Sequence, residues 1–347
     1  MIKKKKQKDA AEVNTKELSI DKILARIEKR HGDGVIRILG DAKVARVDVI
    51  PTGSYLIDKA LVIGGFPKGR IVECYGAEGG GKTSLTLQTI ANAQSAGDLA
   101  AFIDAEHSLD LRMARNMGVN IKKLVLSQPD YGEQALEIVE ALVDSHKFGI
   151  IVVDSVAALI PKAELDGEMT DQQVGLQARM MGKALRKLIG KVAGSNCCLI
   201  FINQLRSKIG GMSWGDPDVT PGGRALKFYS SIRLDIRRKS SLKRGENIVG
   251  NRVIIKVVKN KLAPPFRTTE TDFIFGRGFD RIGEVIEIAE KLDVLDRSGS
   301  WYVYGKEKIG QGKQATREFL SAHPEVLKDI KAAIKAATTK GKVPSED

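Results

Sequence analysis

Apolar residues change their spacing repeatedly along the chain, and those changes outline its elements. Five short runs are apolar at nearly every position: Ile71–Tyr75, Leu99–Ile103, Leu124–Leu126, Ile150–Val153 and Cys198–Ile202. Such runs predict strands buried on both faces. Between them, apolar residues recur every third or fourth position at about 82–96, 108–117, 133–145 and 172–193, which predicts helices. Strands and helices in alternation predict an α/β fold with a mostly parallel central sheet and helices on both faces. Three later β-rich runs, Ser230–Arg237, Asn251–Lys259 and Asp272–Phe275, have no long helix between them and predict hairpins that extend the sheet.

The two ends follow other patterns. Leu18, Ile23, Leu24 and Ile27 suit one face of a short helix ahead of the core, and residues 1 to about 15 are Lys-rich and aperiodic, as in a flexible arm. After Gly278, a helix at Ile282–Leu292, an aromatic strand pair at Trp301–Tyr304 and two further helices predict a small α+β domain with a basic tail. The expected division is an arm and helix over 1–40, a core over 41–278, an α+β domain over 279–338 and a tail over 339–347.

A chain of 347 residues with 42% hydrophobic and 29% charged residues is an ordinary globular mixture, which excludes wholesale disorder. No apolar stretch reaches the roughly 20 residues that a membrane-spanning helix needs. The best candidate, Phe148 to Ile160, is interrupted by Asp154. The basic start has no apolar run behind it and does not match a secretory signal. Cys74, Cys197 and Cys198 lack both a disulfide framework and metal-ligand spacing, so they fit reduced core residues of a cytoplasmic protein. A formal net charge of +13 favours a polyanionic partner, nucleic acid before membrane, although charge of this size also serves solubility alone.

The sharpest local pattern is Gly76-Ala77-Glu78-Gly79-Gly80-Gly81-Lys82-Thr83, which fits G-x-x-x-x-G-K-[ST] between a predicted strand and a predicted helix. Glycines there let backbone N–H groups curl around phosphate oxygens at the positive end of the helix. Lys82 adds a cation, and the Thr83 hydroxyl suits Mg²⁺. The apolar strand Gly149–Val153 ends in Asp154, whose carboxylate is expected to face the same metal. Glu106 follows another buried strand and is a candidate to polarise an attacking water, while Asp104 and His107 in the same loop read as caps or buttresses.

Beyond these pieces, Thr52-Gly53-Ser54, Gly64–Arg70, Phe102–His107, Ser127–Asp130, Val152–Leu159, Phe201–Gln204, Gly222-Gly223, Leu234–Arg238 and Lys256–Lys261 stand in an order that resembles the bacterial RecA recombinase family. The resemblance runs from about residue 16 to 338. It implies a P-loop NTPase core of RecA-like type and the cofactors ATP and Mg²⁺. Gly76, Ala77, Glu78, Gly79, Gly80, Gly81, Lys82, Thr83 and Ser84 would hold the phosphates, Thr83 and Asp154 the metal, and Asp110 the adenine. Glu106 would activate water, and Gln204 would sense the γ-phosphate. Lys259 and Lys261 would reach the nucleotide of a neighbouring subunit.

The same resemblance places DNA contacts in two loops, about Glu164–Gly175 and Leu205–Arg224, the second Gly-rich and without predicted secondary structure. It singles out Arg179, Arg186, Arg206, Lys208, Ile209, Gly210, Gly222 and Gly223. The helix behind the first loop carries an apolar stripe at Val174, Ala178, Met181, Leu185, Leu188 and Val192. Arg179, Lys183 and Arg186 lie off that stripe, where an ordinary wet face would put them too. Implied partners are single- and double-stranded DNA, further copies in a helical filament and a LexA-type repressor, with no membrane.

Several positions depart from the family pattern. The phosphate loop reads Glu78-Gly79-Gly80-Gly81 where the family usually carries serines, Met113 stands where a Tyr commonly stacks on adenine, and Val174 where Met is usual. The second loop is one residue longer around Met212-Ser213-Trp214, with Pro221 and Arg224 for the usual Thr and Asn. No acidic tail ends the chain, which is expected to ease access of duplex DNA. A ring helicase and a DNA-binding scaffold with a static nucleotide are the alternatives to a strand-exchange ATPase.

Overall fold

The structure is a computed structural model that describes residues 20–33, 35–36, 38, 47–168, 175–207 and 218–339. It divides into two units, Met1–Arg46 and Val47–Asp347. The first contains α1 (Ile20–His31), with Ile20, Ile23, Leu24 and Ile27 spaced along one face. Asp21 in its first turn and Lys29, Arg30 and His31 in its last suit the helix dipole.

In the second unit, a short ladder of β1 (Val49–Ile50) and β2 (Phe66–Pro67) brackets α2 (Tyr55–Leu61). Strands and helices then alternate through β3 (Arg70–Gly76), α3 (Lys82–Ser95), β4 (Leu99–Asp104), α4 (Leu111–Asn116), β5 (Leu124–Ser127), α5 (Gly132–Asp144) and β6 (Phe148–Asp154). The one-turn α6 (Lys162–Leu165) and the long α7 (Leu176–Gly194) lead to β7 (Cys198–Gln204). After β8 (Arg206–Ser207), β9 (Asp218–Val219) and α8 (Ala225–Tyr229) come the hairpin strands β10 (Ile232–Arg244) and β11 (Asn247–Asn260), then β12 (Thr268–Ile274) and β13 (Gly278–Phe279). The chain continues with α9 (Arg281–Lys291), β14 (Asp296–Ser298), β15 (Trp301–Tyr304), β16 (Glu307–Gln311), α10 (Gly312–Ala322) and α11 (Pro324–Thr339).

A nine-stranded sheet of order β13-β12-β11-β10-β3-β7-β6-β4-β5 organises the unit. From β10 to β5 every pairing is parallel, and from β10 outward to β13 every pairing is antiparallel. Side chains alternate between faces of a strand. Hence Cys198, Ile200 and Ile202 of β7 join Leu85, Ile90 and Phe102 on one side, whereas Leu199 and Phe201 join Met181, Leu185 and Val139 on the other. Two cores on one sheet explain the nearly continuous apolar runs. A third core, with Ile286, Leu320 and Ile330, lies among α9, α10 and α11, and α9 is tied back to the rest by Glu284. That carboxylate accepts hydrogen bonds from Ser54 Oγ at 2.7 Å and from Thr271 Oγ1. Burial pushes its pKa up.

Four expectations need correction. The strand at Leu124–Leu126 is not buried on both faces, because β5 is the last strand of the sheet and Val125 and Leu126 are exposed. The helix expected over 108–117 begins only at Leu111, since Asp104 accepts hydrogen bonds from the backbone N–H groups of Ser108 and Leu109 at 3.1 and 3.2 Å and draws them into a turn. The aromatic strand pair is a three-stranded antiparallel sheet of β14, β15 and β16. The segment Leu205–Arg224 also contains a short antiparallel ladder, with Arg206 opposite Val219 and Ser207 opposite Asp218. Among the described residues, no helix is long and apolar enough to cross a membrane.

One polar cluster sits inside the sheet. Arg233 lies opposite Glu73 in the parallel β10–β3 pairing, and its Nε donates to the Glu73 carboxylate. Asn203 Nδ2 donates to the same carboxylate at 3.1 Å, and the Arg233 guanidinium stacks 4.5 Å from the Tyr75 ring centre. Glu73 is 0% exposed, so truncating its partner leaves a buried charge uncompensated. Arg233→Ala is expected to destabilise the protein by about 3–5 kcal/mol in urea unfolding. A loss below about 1 kcal/mol, the range of exposed pairs, would show that Glu73 is satisfied without the guanidinium.

Candidate functional site

β3 ends at Gly76, where the backbone turns against the outer hairpin. A Cβ at Gly76 would lie 2.0 Å from the Ile236 carbonyl oxygen, so only glycine fits this approach. The loop continues to Gly81, the N-cap of α3, which has φ +86° and gives no side-chain cap. The first N–H groups of α3 therefore lack a capping acceptor from their own N-cap side chain, the usual arrangement where an anion binds.

Lys82 is buried in the first turn of α3, and its ammonium donates to the carbonyls of Gly76 at 3.1 Å and Ala77 at 2.8 Å. Burial lowers its pKa, against the pull of Asp154, Glu106 and Glu78. Ser84 is buried beside it, and Glu78 and Gly79 are exposed. Thr83 Oγ1 donates to Asp154 Oδ2 at 2.7 Å. Burial pushes the Asp154 carboxyl up to about 6, the Thr83 hydrogen bond opposing and the Glu106 charge adding to the rise. A hydroxyl and a carboxylate from two elements form a hard-oxygen pair, which suits Mg²⁺ sharing its shell with phosphates and water.

The ends of β4, β6 and β7 meet beside this pair. The backbone N–H groups of Ala105 and Glu106 both donate to the Asp154 carbonyl, at 2.8 and 3.3 Å. That places the Glu106 carboxylate next to β6, where Oε1 accepts from the Ser155 hydroxyl and from Gln204 Nε2, the latter at 3.0 Å. Asp104 is a buttress. Besides the N–H groups of Ser108 and Leu109 it accepts from Gln128 Nε2 at 3.0 Å.

Other residues singled out from sequence stand elsewhere. Asp110 caps α4, its Oδ1 accepting from the N–H groups of Arg112 and Met113 at 2.7 and 3.2 Å, and Met113 packs against the core. Lys259 lies at the far end of β11 and Lys261 just beyond it, with ammonium groups on carbonyls of α8. Lys259 donates to Lys227 and Phe228, and Lys261 to Phe228 at 3.4 Å. Arg179 and Arg186 are exposed on α7, off the buried stripe of Met181, Leu185, Leu188 and Val192. Gly222 and Gly223 seat the end of the second loop, where a Cβ would come within 2.8 Å of Val156 and of Ala178 respectively. Lys208, Ile209 and Gly210 lie outside the described residues, as do Val174 and all of Arg206 except its backbone.

Sequence reasoning passed over Ser155, Gln177 and Asn203. Gln177 Nε2 donates to the Val156 carbonyl at 2.8 Å, and its Oε1 accepts from the Gly222 N–H at 3.1 Å. Asn203 Nδ2 donates to the Pro221 carbonyl at 3.1 Å as well as to Glu73. For Ser155 and Asn203 the available signal was a polar residue at the end of an apolar run.

Comparison with known proteins bears directly on this constellation. The family profile described as the RecA N-terminal domain matches residues 18–280, and that of the RecA C-terminal domain matches residues 283–339. The chain belongs to the RecA family. It is 54% identical over 317 residues to Protein RecA of Staphylococcus carnosus, covering 91% of this chain and 89% of that protein. It is also 54% identical over 321 residues to Protein RecA of Campylobacter jejuni, covering 92% of this chain and 94% of that one. A crystal structure of the RadB recombinase superposes with a TM-score of 0.51 at 22% identity, covering 67% of this chain and 98% of that one, a likeness of fold alone.

The raised Asp154 pKa has a stability consequence in this RecA-family site. Between the unfolded carboxyl value near 3.9 and about 6, the folded protein keeps a proton that the unfolded chain has released. The contribution of this carboxyl to stability without nucleotide is therefore fully present below that window and is lost as pH rises through about 6. Asp154→Asn is expected to raise Tm by more at about pH 8 than at about pH 4.5. Thermal melts at the two pH values check the order, and a larger gain on the acid side would contradict it.

Proposed function

We propose that this chain is a DNA-dependent ATPase that assembles on single-stranded DNA as a filament and catalyses homologous pairing and strand exchange in recombinational repair. Membership of the RecA family supports the activity. The single observation that supports how it works is the contact of Gln204 with Glu106 beside the Thr83–Asp154 pair. Gln204 ends β7, and the loop proposed to meet DNA starts at the next residue.

The loop Gly76–Gly81, with Lys82, Thr83 and Ser84, binds the ATP phosphates through N–H groups and one cation. Thr83 and Asp154 would hold Mg²⁺, which would supply neutralising charge at the phosphates. Glu106 takes the proton of the attacking water as general base, and Ser155 and Gln204 hold its carboxylate by the hydrogen bonds described above. Because Gln204 contacts Glu106 directly, a change in what its amide binds also moves the strand end that carries the loop. Asp110 has Oδ2 available for the base beside its capping Oδ1.

Lys259 and Lys261 sit on α8 carbonyls, with Phe228 beside them 68% exposed. Two cations and a bare aromatic on one surface support a role at the nucleotide of the next copy in a filament, where they balance charge developing on the γ-phosphate. Arg179, Arg186, Arg206 and Lys208 contact DNA phosphates, with Ile209, Gly210, Gly222 and Gly223 completing the loop. The contacts address backbone and shape and are independent of base sequence. Stimulation of self-cleavage by a LexA-type repressor and a cytoplasmic location complete the reading.

ATP hydrolysis measured with and without single-stranded DNA tests it. DNA is expected to stimulate the protein strongly, Lys82→Ala to abolish hydrolysis, and Glu106→Gln to lower kcat by about 10²–10⁴ while nucleotide still binds. Lys259→Ala is also expected to be inactive, and mixing it with Glu106→Gln restores part of the activity, because each supplies the group the other lacks across an interface. No recovery on mixing would place both groups in one subunit's site. Hydrolysis indifferent to DNA would instead favour a different task for the two loops.

A further inference from the structure

The outer strands close over the back of the phosphate loop. The Ile236 carbonyl backs Gly76 and Gly80, the Phe273 ring lies against Gly81, and Asn251, opposite Phe273 in the β11–β12 pairing, reaches Gly79. Asn251 is 3% exposed, and its Nδ2 donates to the Gly79 carbonyl at 3.4 Å. Its Oδ1 is buried without a hydrogen-bond partner. An unpaired buried amide oxygen destabilises the folded state. Turning the amide over gives no relief, since it would set Oδ1 against the Gly79 carbonyl, acceptor against acceptor. A hydrocarbon side chain of the same shape would fill the space without that penalty.

Peptide geometry says what the amide achieves. In a trans peptide the Gly79 carbonyl and the Gly80 N–H point in opposite directions. Drawing the oxygen toward β11 turns the Gly80 N–H away from β11. A phosphate loop binds through N–H groups, so the orientation of this one peptide decides whether it offers a donor or a carbonyl. Gly79 has φ +70° with nothing within 4 Å of a Cβ position, and Gly80 also lacks a side chain. The plane between two glycines turns with little steric resistance.

We infer that Asn251 is a positioning residue for the nucleotide site: its amide holds the Gly79–Gly80 peptide with the N–H presented to phosphate. Side-chain bulk at 79 and 80 cannot do this in the present chain, so the restraint comes from β11. The inference rests on the phosphate loop being the nucleotide site.

Asn251→Leu in the full-length protein tests it, because leucine keeps the branched shape, at a larger volume, and removes both the donor and the orphaned oxygen. Without nucleotide, Tm is expected to stay level or rise. Affinity for a fluorescent ATP analogue is expected to fall about tenfold, the worth of one hydrogen bond to the loop. KM for ATP should rise by the same factor, with a smaller change in kcat. Asn251→Ala, a second variant in case leucine overpacks, should lower affinity to the same extent whatever its Tm. Parent-like affinity in both variants, or an affinity loss that only tracks a fall in Tm, overturns the inference. A parent that binds no nucleotide would overturn the reading of the site itself.

Discussion

Parallel pairing through β10-β3-β7-β6-β4-β5 is the constraint from which the site follows. In parallel strands every C-terminal end points the same way, so the segments after β3, β4, β6 and β7 emerge along one edge. The register is tight enough to matter: Gly76 stands opposite Gln204 and Asp104 opposite Asp154. From that alignment come the Thr83–Asp154 contact, the backbone hydrogen bonds from 105 and 106 to Asp154, and the approach of Gln204 to Glu106. No single loop builds this arrangement. Shifting one parallel strand by a residue would exchange its two faces and take its terminal side chain out of the cluster.

The edge so formed works against the stability of the fold that creates it. Asp154 is held as a carboxyl with a raised pKa, Lys82 as a buried ammonium with a lowered one, and Asn251 with half its amide unpaired. Asp154 and Lys82 would be better satisfied by a ligand than by the protein alone, and Asn251 leaves its oxygen unpaired while its Nδ2 holds the loop. The buried Glu73–Arg233 pair differs, since both partners are present and Asn203 adds a further donor. Its geometry makes the pair a structural joint, which locks β10 to β3 and so fixes the hairpin that backs the phosphate loop.

Much of this was legible in the chain because the signals are local. The apolar runs marked β3, β4, β6 and β7, and the glycine-rich segment before Lys82 marked the loop between β3 and α3. What stayed hidden depends on neighbours far away in sequence. Val125 and Leu126 are as apolar as residues of a central strand, and only the strand order shows that β5 is an edge. Ser155 and Asn203 each belong to a polar pair after an apolar run, a pattern common to many strand ends. Asn251 lies 172 residues from the glycine whose carbonyl it reaches. Asp110 shows a different limit: it has the composition of a ligand, yet one of its oxygens is committed to starting α4.

The two ends of the second loop are tied to neighbouring residues of one strand. Gln204 immediately precedes the loop and contacts Glu106 on the nucleotide side. The preceding Asn203 turns to the opposite face, where its amide holds the Pro221 carbonyl at the loop's return and the buried Glu73. Its own Oδ1 accepts from the Gln204 N–H at 3.0 Å, so the two side chains are joined through the backbone between them. Gln177 adds a second tie, from the Gly222 N–H to the segment that follows β6. A displacement at Gln204 therefore acts on a loop whose other end is anchored within the same network. Both stems of the loop share these hydrogen bonds, which gives the proposed coupling between nucleotide and DNA a physical route that needs no long-range rearrangement of the sheet.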